Sequence, residues 1–322
     1  MSPTPWKILL LAGAVLVLGG ATCQSATPDG ASSSEGKPQS SLELAPDSGG
    51  GGPGPETSLG IPGMDFSQLT VDQRRQLSTV FSDEFCYCGC PHTLGQCLKQ
   101  HTQCKHAKRM TSLAARHAAG GYPGSEIILI LSRYYEGFRE PRKSFKPDPR
   151  MCQGAENAPV TLVEFFDYEC PYCASVSPVL KAFAKKYAAK VRFCALPYPL
   201  PNHPNGMPAA QAAMIARDAG KYWEMHDALF ENQASLSAET LRQLASRLGL
   251  KGDEVGKAIA AGKYVDEVTS FRDQGRAAGV DSTPSLYLNG RRFQLDISEE
   301  NLVHTVDDEL EWSANKGAWS AD

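Results

Sequence analysis

Two cysteines separated by two residues, Cys170 and Cys173 in "DYECPYCASV", follow a strand-like apolar run from Val160 to Phe166 and precede a helix-like one. A thiol at a helix N-terminus lies near unpaired backbone N–H groups and the positive end of the helix dipole, which favours thiolate over thiol. This placement makes Cys170 the candidate nucleophile and Cys173, one turn further in, the candidate resolving thiol of thiol–disulfide exchange. Pro171 and Tyr172 fill the positions between them. A zinc site would need a second ligand pair at finger spacing, and this half of the chain has none.

Two further features converge on the pair. Thr283-Pro284 stands at the entry of the strand-like run Ser285 to Leu288, where a proline is tolerated and a cis bond is plausible. Glu164 lies inside the apolar strand six residues before Cys170, so its carboxyl is expected in the core beneath the site. It could relay the proton of Cys173 or form an ion pair with a lysine such as Lys181.

Around these residues the periodicity reads β-α-β, a parallel pair with a right-handed crossover: "APVTLVEFF", "ASVSPVLKAFAKKYAAK" and "VRFCALPYPL". A helical region follows from about 208 to 276. "SLYLNGRRF" then reads as two strands joined at Asn289-Gly290, and a last helix runs from Ser298 to about Trp312, with Leu302, Val306 and Leu310 on one face.

"APVTLVEFFDYECPYCASVSP", "HPNGMPAAQAAMIARDAGKYWEMHDALFENQ" and "AGVDSTPSLYLNGRRF" together resemble the DsbA-like family of thioredoxin-fold thiol-disulfide oxidoreductases, over about residues 153–312. The resemblance implies an α/β thioredoxin-like fold with a helical insertion at about 205–276. It makes Cys170 the nucleophile, Cys173 the resolving thiol and Glu164 the buried acid. Thr283-Pro284 becomes a cis-proline loop that binds extended polypeptide substrates with thiols or disulfides. A redox partner protein is implied and no cofactor is. The sequence has Tyr172 where the family's strongest oxidants carry His, which leaves the direction of electron flow open among oxidase, isomerase and reductase. Cys152 and Cys194 are additional to the pattern; Cys194 reads as a buried thiol, and Cys152 as one able to bond to the N-terminal cysteines.

Those cysteines form the second chemical cluster, "FCYCGCPHTLGQCLKQHTQCKH". Cys86, Cys88 and Cys90 alternate, so an extended chain puts them on one side. Cys97, His101 and Cys104 share one helical face. The expectation is two disulfides among the five cysteines, stapling a module small for an unassisted core. The odd cysteine is then free, bonded to Cys152 or in exchange with Cys170. Zinc or Cu(I) held by Cys97, His101 and Cys104, and a thiol relay, stand as alternatives. No C-x-x-C-H occurs, which disfavours haem attachment. The module also resembles, more weakly, the thiol modules of cytochrome c assembly proteins, departing from them in its C-x-C-x-C spacing.

The expected organisation is a signal peptide over 1–22, a Gly/Ser/Pro-rich linker over 23–63, the mostly helical Cys-rich module over 64–140, a linker over 141–152 and the thioredoxin-like domain over 153–322. The leader has one basic residue, Lys7, then the apolar run Ile8 to Leu18, shorter than a spanning helix. Export to a periplasm or cell envelope follows. Cys23 resembles the lipidated cysteine of bacterial lipoproteins and offers a membrane tether. Net charge is −4 with no block of basic residues, so nothing favours nucleic acid as partner.

Overall fold

The computed structural model describes residues 59–319. The expected leader, Cys23 and nearly all of the first linker lie outside them.

The Cys-rich segment folds as four helices: α1 (Val71–Asp83), α2 (Leu94–Gln100), α3 (Lys105–Ala119) and α4 (Gly124–Glu136). The first two start on capping boxes, Thr70 with Gln73 and Thr93 with Gln96, each satisfying two otherwise orphaned N–H groups. Their apolar faces meet through Leu77, Val80, Leu94, Leu98, Met110, Leu113, Ile127 and Leu131, all buried.

The remainder is a five-stranded sheet with helices on it. In chain order the elements are β1 (Cys152–Gln153), β2 (Val160–Phe166), α5 (Pro171–Lys186), β3 (Val191–Pro197), α6 (Gly206–Asp218), α7 (Tyr222–Glu231), α8 (Ala238–Arg247), α9 (Gly252–Ala260), α10 (Val265–Ala278), β4 (Ser285–Leu288), β5 (Arg291–Arg292) and α11 (Glu299–Ala314). The sheet order is β1-β3-β2-β4-β5, with β2 and β3 parallel and the other pairs antiparallel. The parallel pair is joined through α5, the expected βαβ unit. Asn289 (φ 46°) and Gly290 (φ 78°) make the expected turn between β4 and β5. Gly290 is required twice over, since a Cβ there would also sit 2.0 Å from the Lys143 carbonyl oxygen.

Cys152 and Cys194 are bonded to each other. This corrects both expectations for them: β1 pairs antiparallel with β3 in a register that sets Cys152 opposite Cys194, so neither serves the N-terminal cysteines.

The segment 141–152 is pinned along its length. Lys143 N–H donates to the Gly290 carbonyl (2.9 Å), Lys146 N–H to Gln274 Oε1 (2.8 Å), and the Phe145 ring packs between Phe165 and Tyr287 (5.2 and 5.0 Å between centroids). Helix α11 buries a second, polar face besides Leu302 and Val306. Asp308 accepts from Arg109 (2.5 Å) and Tyr134 (3.0 Å), and Glu309 pairs with Arg291 (2.7 Å) and Arg142 (2.9 Å). Burial pushes the Asp308 carboxyl up, but His304 and Arg109 outweigh it and hold it below the usual carboxylate range. Trp319 closes this seam, stacked on His106 and packed on Phe138. Among the described residues no helix is long and apolar enough to cross a membrane.

Candidate active site

Strand β2 ends at Phe166, and four residues later Cys170 is the N-cap of α5, with Pro171 at the first helical position, where a missing N–H costs nothing. Helix α5 buries Cys173, Val176, Leu180 and Phe183 against the sheet. That face fixes the rotation of the helix, so Cys173 is fully buried while Cys170 keeps a small exposed surface of 8%. Tyr172, between them, is half exposed.

Strand β4 runs antiparallel to β2 with Ser285 opposite Phe165. The cis peptide Thr283-Pro284 therefore emerges beside the end of β2 and faces the turn that carries Cys170. The Cys170 thiol donates to the Thr283 carbonyl oxygen at 3.2 Å. Thr283 Oγ1 is buried beside the same thiol.

The two thiols are driven apart electrostatically. Hydrogen bonding from Cys173 first, then Thr283 and the backbone N–H groups of Cys173 and Tyr172, lowers the Cys170 pKa to about 5 against the opposing effect of burial. Burial first, then Cys170 and the charge of Glu164, pushes Cys173 far up. One thiol is poised as thiolate and the other as thiol, the division of labour that exchange requires.

Glu164 is on β2, paired across the sheet with Ala195 and Leu286, and only 2% exposed. Its Oε1 has no hydrogen-bond partner among the described residues, and Lys181, expected as one alternative partner, pairs with Asp227 instead. Burial and the nearby Cys170 raise its pKa to about 8. A raised acid contributes stability that is complete below its unfolded pKa, near 4.5, and is lost as pH climbs through 8. Glu164→Gln in the reduced protein is thus expected to remove a loss of about 1.4 kcal/mol per pH unit across that window. Denaturant titrations of both proteins from pH 5 to pH 8.5 check this; parallel stability curves would contradict it.

Sequence reading missed the residues that hold the turn. Gln233 Nε2 donates to the carbonyls of Tyr168 (2.7 Å) and Cys170 (3.0 Å). The carboxylate of Asp167, buried, accepts from Glu169 N (2.9 Å), Leu200 N (2.7 Å) and His203 Nδ1 (2.7 Å). An acid set between Phe166 and Tyr168 at a strand end was the available signal for Asp167; nothing local marks Gln233.

The N-terminal cysteines depart from expectation. All five are free thiols, with Sγ separations of 3.2 Å for Cys86–Cys88, 3.3 Å for Cys88–Cys90 and 3.9 Å for Cys88–Cys97. The expected disulfides are absent because the chain gathers the thiols into a cluster rather than facing pairs. The trio Cys97, His101 and Cys104 is also divided. Cys97 and Cys104 converge with Cys86 and Cys88, whereas His101 converges with Cys90 and His92.

A family model described as thioredoxin matches residues 146–308. Among curated relatives, Na(+)/H(+) antiporter NhaA 3 of Salinispora tropica is 34% identical over 201 residues, 62% of this chain and 30% of that protein. NhaA of Herminiimonas arsenicoxydans is 30% identical over 148 residues, 46% of this chain and 24% of its own length. The chain spans less than a third of the length of these relatives. Among solved structures, oxidised BdbD from Bacillus subtilis has a TM-score of 0.47 at 22% identity, covering 53% of this chain and 99% of BdbD. Wolbachia pipientis alpha-DsbA1 has a TM-score of 0.46 at 18% identity, covering 52% and 93%. The family match extends over half of the sequence, from the 141–152 segment to the last helix, and the chain accordingly belongs to the thioredoxin family.

Proposed function

We propose that this chain is a protein thiol-disulfide oxidoreductase acting through Cys170 and Cys173. The observation that carries this reading is the opposed state of the two thiols, one at a helix N-terminus with its pKa lowered to about 5, the other sealed beneath it. In the oxidising direction a substrate thiolate attacks Cys170 Sγ of the Cys170–Cys173 disulfide, forming a mixed disulfide and releasing Cys173 as thiolate. Glu164, neutral at neutral pH, is placed to supply the proton that Cys173 takes up. A second substrate thiolate then attacks the substrate sulfur of the mixed bond and expels Cys170 as a stable thiolate. The substrate loses two electrons and the chain gains them, to be returned through a disulfide-bearing redox partner protein.

The low Cys170 pKa stabilises the reduced form relative to the disulfide, so oxidation of substrates is the favoured direction even with Tyr172 in place of His. Thr283-Pro284, beside the nucleophile, is the proposed edge for an extended peptide. We place the work in the cell envelope: the apolar leader supports export, and the Cys152–Cys194 disulfide suits an oxidising compartment. Cys23 is the proposed tether, 64–140 the Cys-rich module and 153–322 the catalytic domain with its helical insertion at 205–276. The antiporter relatives are matched over less than a third of their length, and ion transport forms no part of the proposal.

Mixing the oxidised chain with a reduced two-cysteine peptide tests the reading. One peptide disulfide should form per chain as Cys170 and Cys173 appear reduced. A chain that stays oxidised while the peptide stays reduced contradicts it.

A further inference from the structure

The N-terminal module contains a second thiol centre that the exchange chemistry does not use. Cys86 and Cys88 lie on the loop between α1 and α2, Cys97 within α2, and Cys104 at the N-cap of α3. The loop is pinned by the bridge between Phe85 and Thr93 and by the Cys86 N–H donating to the His92 carbonyl (3.2 Å), and Gly89 (φ 87°) turns it back on itself. All four thiols are buried, and their sulfurs lie within 4.8 Å of one another.

That geometry is specific. Four sulfurs bound at about 2.3 Å to one tetrahedral ion lie about 3.8 Å apart; Cys86–Cys88 at 3.2 Å and Cys88–Cys97 at 3.9 Å fall on either side of this edge, and every other pair lies within 4.8 Å. A disulfide would need about 2.05 Å. A cluster of several metal atoms would spread its ligands further than these six pairs allow.

We propose that Cys86, Cys88, Cys97 and Cys104 hold one zinc ion as a closed structural site. A buried set of four thiolates in tetrahedral array is the donor set that zinc takes in such sites. The Ala107 N–H donates to Cys104 Sγ (3.3 Å), and Cys104 faces the positive end of the α3 dipole, so the excess negative charge of four thiolates has partners. The ion ties the loop after α1 to α2 and to the start of α3 where no disulfide does, in a module whose second helix has seven residues. It also explains how closely spaced thiols persist in a chain that keeps Cys152 and Cys194 oxidised. Cys90 Sγ also lies 3.3 Å from Cys88 Sγ, but Cys90 is half-buried and converges with His92 and His101, so these three are placed outside the closed set.

The test uses the full chain purified without chelator. Elemental analysis should find one zinc per chain, and X-ray absorption at the zinc edge should show four sulfurs at about 2.3 Å and no nitrogen. The pair of changes Cys97→Ser and Cys104→Ser should cut bound zinc at least tenfold, while Cys90→Ser with His92→Gln and His101→Gln should leave it unchanged. Nitrogen in the first shell, copper or iron in place of zinc, zinc lost only in the second variant, or a disulfide among the four cysteines of the untreated protein would each overturn the proposal. If the first variant does not fold, the absorption spectrum of the unaltered chain decides alone. None of these readouts depends on disulfide exchange, so the zinc site and the activity of Cys170 stand or fall separately.

Discussion

Cys170→Ser should lower the rate of disulfide exchange at least about a thousandfold, because serine offers no nucleophile that forms or breaks a sulfur–sulfur bond at neutral pH. The loss should be catalytic rather than structural. Cys170 retains surface exposure at the N-cap of α5, where serine is a favourable residue, so the melting temperature of the reduced variant should stay within a few degrees of the unaltered chain. A second signature belongs to the unaltered reduced protein. A thiol whose pKa is about 5 is already thiolate at pH 7, so alkylation at Cys170 should change little between about pH 7 and pH 9 and fall only below about pH 6. Alkylation that climbs tenfold per pH unit up to pH 8 would contradict the electrostatic account.

The largest structural effect is expected at Glu309. Its carboxylate, 1% exposed, accepts from Arg291, 2% exposed, and from Arg142. The Arg291 guanidinium also lies 3.7 Å from the centre of the Phe138 ring. Glu309→Ala leaves two guanidinium groups without their counter-charge, one of them wholly desolvated, and breaking such a buried pair costs about 3–5 kcal/mol. Phe138 belongs to the turn after α4, Arg142 to the segment that follows, and Arg291 and Glu309 to the thioredoxin domain. The loss should therefore loosen the helical module as well as the sheet. Hydrogen exchange would show faster amide exchange in α4 together with α11. Glu309→Gln, which keeps the shape and part of the hydrogen bonding, should cost less. A change below 1 kcal/mol in Glu309→Ala would mean that the ion pair does not join the two parts.

The sequence made the elements legible wherever the physics was local. The βαβ run, the Asn289-Gly290 turn and the last helix from Ser298 each depend on residues a few positions apart, and each stands where expected. The candidate site was legible for the same reason: a C-x-x-C between a strand and a helix, with an acid inside that strand. What escaped was non-local. Asp308 and Glu309 lie off the Leu302, Val306 and Leu310 face of the last helix, and their partners Arg109 and Arg142 come from about 200 and 170 residues earlier. Gln233 reaches the Cys170 turn from 63 residues downstream. Cysteine pairing is set by register and loop path, so neither the Cys152–Cys194 bond nor the gathering of Cys86, Cys88, Cys97 and Cys104 could be read from spacing.

The central claim is that Cys170 forms the mixed disulfide with protein substrates, its disulfide attacked by a protein thiolate or its own thiolate attacking a protein disulfide, and that Cys173 can attack Cys170 Sγ of that intermediate to release the substrate as a thiol. Replacing Cys173 by alanine and analysing the chain from exporting cells tests it most directly. With no resolving thiol, polypeptides should accumulate covalently on the variant and be released by reductant, and mass spectrometry should place every such bond at Cys170. Absence of covalent partners, or bonds placed at Cys90 or another N-terminal cysteine in place of Cys170, would contradict the account.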